Sequence, residues 1–122
     1  MRQRFTAAPD RVFAAITDHA ALGSWLPADV RLESPGTPPP NGVGAVRIVR
    51  VRGLSIREQV TRFEAPRAMD YRVISGAPFQ AHLGQIRVAA DGDGALVDYR
   101  IRFGWPWYAG GSLVGRVVAG QL

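Results

Sequence analysis

The chain has 122 residues, enough for a single domain spanning 1–122 that buries roughly two thirds of the surface of its unfolded form without a covalent staple. It contains no cysteine, which excludes disulfides, thiolate nucleophiles and cysteine-ligated zinc and makes a reducing cytoplasm the default compartment. The 15 strong bases are all arginine, set against 10 acids for a net charge of +5, and the absence of lysine excludes Schiff-base chemistry on that side chain.

The opening Met1-Arg2-Gln3-Arg4-Phe5 lacks the apolar centre of a signal peptide, and no run approaches the ~20 apolar residues of a membrane-spanning helix, so no membrane span is expected. Gln3 to Ala7 reads as a short edge strand. Pro9 at a first helical position, with Asp10 beside it, then marks a helix start whose Val12, Phe13 and Ile16 form one apolar stripe. Asp18 is placed to cap a second short helix carrying Leu22, Trp25 and Leu26, and Pro27 stops it. Ala28 to Glu33 is a strand with Val30 and Leu32 on one face. The proline- and glycine-rich stretch from Ser34 to Gly44 must be a loop, and its Gly42-Val43-Gly44 is a plain turn because no helix follows it to hold a phosphate.

Two further strands, Val46 to Arg52 and Ile56 to Glu64, are joined at Gly53-Leu54-Ser55 in a tight hairpin. From Leu54 to Phe103 four strand-like runs are separated by Glu64-Ala65-Pro66-Arg67, Gly76-Ala77-Pro78 and Asp91-Gly92-Asp93-Gly94, the last being the strongest hairpin signal in the chain. In the final run Ala95, Val97, Tyr99, Ile101 and Phe103 share one face while Asp98, Arg100 and Arg102 lie on the other. This is a sheet with one dry side, covered by helices from the two ends of the chain. The covering helix at the far end starts near Pro106 and carries Trp107, Tyr108, Leu113, Val114, Val117 and Val118, with four glycines that make it dependent on packing against the sheet.

Arginines stand singly along the strands at 47, 50, 52, 57, 62, 72, 87, 100 and 102. Spaced in this way they predict the wet face of the sheet rather than a phosphate-binding patch, and no nucleic-acid partner is expected.

The order strand, helix, helix, six strands, long helix comes with a set of recognisable phrases. They are Ala8-Pro9-Asp10-Arg11-Val12-Phe13, Arg57-Glu58-Gln59-Val60, Glu64-Ala65-Pro66-Arg67, Tyr71-Arg72-Val73 and His82-Leu83-Gly84. Together they resemble the polyketide cyclase/dehydrase-like proteins of the START-like, helix-grip (SRPBCC) superfamily. The resemblance implies an α+β helix-grip fold: a seven-stranded antiparallel sheet wrapped around the C-terminal helix, two short helices after the first strand, and a cavity for hydrophobic small molecules. It does not imply one activity, because function in such folds sits in cavity side chains that vary. The first strand is short and the last helix stops at Leu122, where relatives continue, so either the chain is shortened or the cavity is more open than usual.

His19 and His82 are the only histidines and share no ligand spacing, so no metal and no cofactor are expected. His82 has the parity of Ile86 and Val88, which with the implied fold points it toward the cavity, as a hydrogen-bonded core residue or as an acid or base. Glu58 shares parity with Ile56 and Val60. A carboxylate there is costly unless paired, so either an arginine neutralises it or it is a polar handle in an apolar pocket. Tyr71 and Tyr99 offer phenolic hydrogen bonds or ordinary core filling. Trp25, Trp105 and Trp107 frame a cavity mouth or plug the gap between helix and sheet.

The candidate ligand-binding set is therefore Glu58, Val60, Tyr71, His82, Ile86, Tyr99, Ile101, Phe103 and Trp107, with His82 and Glu58 as catalytic candidates. The leading reading is a binding module for an apolar or aromatic, lipid-like or polyketide-like molecule. One alternative is a cyclase or dehydratase using cavity His, Tyr and Glu groups for proton transfer. The other is an interaction protein, a homodimer formed through the C-terminal helix.

Overall fold

The computed structural model describes residues 2–25, 28–51, 53–76 and 83–101. Its elements run in the order β1 (Arg2–Phe5), α1 (Pro9–Thr17), α2 (His19–Trp25), β2 (Asp29–Ser34), β3 (Val46–Val51), β4 (Leu54–Glu64), β5 (Ala68–Ser75), β6 (Leu83–Asp91) and β7 (Gly94–Ile101). The strands form one seven-stranded antiparallel sheet in the order β1-β7-β6-β5-β4-β3-β2. Every pair from β2 to β7 is a sequential neighbour, and β1 returns to pair with β7, so the two helices are carried across from one sheet edge to the other.

Alternation along the strands decides which face is dry. Ala95, Val97 and Tyr99 of β7 are buried with Ile86 and Val88 of β6, Met69 and Tyr71 of β5 and Val60 of β4. Val12, Phe13 and Ile16 of α1 close this layer from above, and Phe13 meets Phe63 edge-on at a centroid distance of 5.5 Å. Such an aromatic pair contributes about 0.5–1.5 kcal/mol beyond the area it buries. Arg100 and Asp98 stand on the opposite face, as the expected register requires, and pair with each other at 3.2 Å. Pro9 opens α1 with Asp10 in its first turn. Asp18 begins α2 through its carbonyl, which accepts the Leu22 N–H at 2.9 Å, while its carboxylate accepts a hydrogen bond from Asn41 at 2.6 Å.

Four sequence expectations shift. The edge strand occupies Arg2–Phe5 rather than Gln3 to Ala7, because its pairing with β7 runs from Asp98 to Ala95 and ends there. The second predicted strand begins and ends one residue later, at Asp29–Ser34. In the β3–β4 hairpin Val51 pairs with Leu54, which pulls Leu54 and Ser55 out of the turn and into β4. Arg47 leaves the wet face altogether: it is buried, for the reason given below. At the β6–β7 hairpin Asp91 pairs with Gly94, and Gly92 takes the left-handed φ of 61° that a two-residue connection demands. The expected C-terminal helix from Pro106, with Trp107, Leu113 and the valines after it, lies outside the described residues, as do Leu26, Pro27, Arg52, Ala77-Pro78, Arg102 and Trp105.

Candidate functional site

A continuous polar chain crosses the dry face of the sheet. Glu58 of β4 is 1% exposed and Arg47 of β3 5%, and they sit opposite each other in the β3–β4 register. Arg47 Nε donates to Glu58 Oε1 at 3.1 Å, and Arg47 Nη1 donates to the Thr17 carbonyl at 3.2 Å. That carbonyl is at the C-terminal end of α1, where the helix dipole favours a cation. A buried carboxylate and a buried guanidinium each carry a desolvation cost of several kcal/mol, which only close pairing offsets. This is why Arg47 is inside: β4 parity commits Glu58 to the core, and Arg47, its cross-strand neighbour, supplies the opposite charge.

The chain continues through aromatic groups. The Arg47 guanidinium lies over the Tyr71 ring, 5.4 Å from its centroid, and the Tyr71 hydroxyl meets the Tyr99 hydroxyl at 2.5 Å. Tyr71 is on β5 and Tyr99 on β7, with β6 between them. They touch because Tyr71 pairs with Gly84, where β6 presents no side chain: a Cβ at that position would fall 2.2 Å from Tyr71 Cζ. Burial pushes the Tyr99 phenol well above its ordinary range, the Tyr71 hydroxyl and the Glu58 charge push the same way, and Arg47 opposes them. Tyr99 is therefore a neutral hydrogen-bonding phenol across the physiological range and well beyond it.

Of the residues singled out in the sequence, Glu58, Val60, Tyr71, Ile86 and Tyr99 come together on this face, all of them buried. Ile101 pairs through its backbone with Gly84 at the same level of the sheet. His82, Phe103 and Trp107 lie outside the described residues. Arg47, Gly84 and Thr17 were missed as members of the site. Arg47 shares parity with the buried Ala45 and Val49, and a glycine with the parity of Ile86 inside a strand marks a close approach, so both signals were present in the sequence. His19 is part-buried at the junction of α1 and α2, its Nδ1 at 2.9 Å from Asn41 Oδ1. Among the described residues no cluster of three or more His, Cys, Asp or Glu is placed to hold a metal ion. No helix among them is long and apolar enough to cross a membrane.

The family described as polyketide cyclase / dehydrase and lipid transport matches residues 1–122. The chain belongs to that family. Its fold is the START-like, helix-grip one, and solved structures carry the same arrangement at low identity. The Mll3558 protein from Rhizobium loti is 22% identical with a TM-score of 0.69, over 100% of this chain and 94% of that one. Ara h 8.0201 is 12% identical with a TM-score of 0.71, over 99% and 93%. CalU16 from Micromonospora echinospora is 21% identical with a TM-score of 0.62, over 82% of this chain and 55% of that one, so this chain matches little more than half of CalU16's length. None of the curated proteins compared matches the chain. At these identities the likeness establishes the family fold and leaves the ligand to the site.

Proposed function

We propose that the protein binds an apolar or aromatic small molecule against the dry face of its sheet, with orientation set by the Arg47–Glu58–Tyr71–Tyr99 chain. The observation that carries this reading is the cost of that chain. Two charges and two phenols are held side by side in a layer otherwise built of Val60, Met69, Ile86 and Val97, where apolar side chains of similar volume would be at least as stable. A few convergent polar groups in an apolar wall are what fixes the orientation of a hydrophobic ligand bearing a hydroxyl or carbonyl. Membership of a cyclase/dehydrase and lipid transport family supports the same reading. One observation favours the enzymatic alternative: Tyr99, kept neutral by burial, is hydrogen-bonded to Tyr71, whose ring lies under the Arg47 guanidinium, so a phenolic O–H is available as a hydrogen-bond donor to a developing oxyanion.

The test compares naphthalene with 2-naphthol, titrated into the full chain and into Tyr99→Phe. A binding module with a polar handle loses 2-naphthol affinity by about 5- to 100-fold in the variant, the cost of leaving one buried polar group without a partner, and keeps its naphthalene affinity. Failure of both probes to bind the wild type overturns the proposal. Equal loss of both in the variant means that Tyr99 only packs. Native mass spectrometry of protein purified from its own host identifies any retained molecule and so the ligand class directly.

A further inference from the structure

The face of the sheet turned away from the core holds a concavity. It has a volume of about 460 Å³, and Ala68, Ala89 and Leu96 contribute apolar surface to its lining. The register accounts for it, since Arg2, Asp98, Arg87, Ala68 and Glu64 are successive partners in one row across β1, β7, β6, β5 and β4. The small Ala68 leaves a gap among long side chains. Arg62 and Arg67 close the end formed by the β4–β5 turn.

The charges in and around this pocket do not balance. Glu64 is held by Arg62 at 2.9 Å, Asp70 by Arg87 at 2.5 Å and Asp98 by Arg100 at 3.2 Å. Arg2 and Arg67 line the same pocket, and among the described residues neither closes an ion pair of that kind with a carboxylate. Arg67 hangs from a fixed point: its N–H donates to the Glu64 carbonyl at 2.7 Å and its carbonyl accepts the Val88 N–H at 2.8 Å. The Glu64 carboxyl is held below the usual carboxylate range, first by Arg62 and then with help from Arg67 and Arg87, so a negative charge at this place is already favoured.

We propose that this outer pocket binds a small oxyanion, a carboxylate or a phosphate monoester, carried on an apolar fragment. Arg2 and Arg67 take the anion with charge-assisted hydrogen bonds, and the fragment lies against Ala68, Ala89 and Leu96. Glu64, Asp70 and Asp98, interspersed among the arginines, repel a continuous phosphate backbone, which selects a single anionic group over nucleic acid. The site is independent of the dry face and of whatever binds there.

An amide-detected NMR titration of the full chain at low ionic strength, with inorganic phosphate, phenyl phosphate and benzoate in turn, tests this. Saturable shifts are expected at residues 2, 67–68, 87–89 and 96–98, with phenyl phosphate binding several-fold more tightly than inorganic phosphate. The order of phenyl phosphate and benzoate tells which anion the site prefers. Arg67→Gln, and separately Arg2→Gln, weaken binding at least five-fold with an otherwise unchanged spectrum. Arg31→Gln, which removes an exposed arginine paired with Asp29 on β2, leaves binding as it was. Shifts spread over every exposed arginine, equal loss in Arg31→Gln and Arg67→Gln, or an Arg67→Gln protein that binds like wild type would each overturn the proposal.

Discussion

Replacing Glu58 with leucine leaves a guanidinium in the core without its carboxylate, and the size of that penalty follows from the geometry. The Arg47 side chain is 6% exposed and Glu58 1%, their charged atoms are 3.1 Å apart, and the Thr17 carbonyl at 3.2 Å supplies a dipole rather than a charge. Removing one partner of a pair buried to this degree costs about 3–5 kcal/mol, roughly a fifth or more of the ~5–15 kcal/mol that holds a typical domain folded. Glu58→Gln keeps one acceptor for Arg47 Nε and falls at the lower end. The double variant Arg47→Met/Glu58→Leu removes both charges and returns to within about 2 kcal/mol of wild type, or exceeds it. Urea unfolding monitored by tryptophan fluorescence measures all three, with an unchanged m-value as the check that only stability has moved. A cost below about 1 kcal/mol for Glu58→Leu, or a double variant no better than the single, refutes the claim that each charge is inside because of the other.

Gly84→Ala drives a methyl group into the Tyr71 ring and should cost about 1–3 kcal/mol, and in the background of Tyr71→Ala the same change should cost much less, a coupling read from a double-mutant cycle. Tyr99 contributes to the alkaline limit of the fold. Its folded pKa lies above the unfolded value near 10, so its contribution is whole below about pH 10 and is lost as pH rises toward the folded pKa; Tyr99→Phe should flatten that decline in thermal melts. Arg57→Gln breaks an ion pair with Glu33 whose members are 41% and 34% exposed, and the urea midpoint should stay close to that of wild type, in contrast to the buried pair.

Strand parity, turn residues and helix starts carried most of the architecture. Pro9 and Asp10 place α1, Asp91-Gly92-Asp93-Gly94 places the last hairpin, and alternation in Ala95, Val97 and Tyr99 fixes which side of β7 is dry, all through interactions within a few residues of chain. Parity also put Glu58, Ile86 and Tyr99 on the core side, because a strand permits only two directions for a side chain. The sequence could not show which of those side chains meet. Arg47 was read as solvated because an isolated arginine in a strand usually is, and its burial follows from Glu58, which the β3–β4 register sets opposite it. The Tyr71–Tyr99 contact reaches across an intervening strand and exists only because Gly84 leaves that strand bare at the crossing. Local propensity determined the elements of this protein. The tertiary structure determined the charge pairing and the phenol contact, since both join residues on different strands, 11 and 28 positions apart, that only the folded sheet holds together.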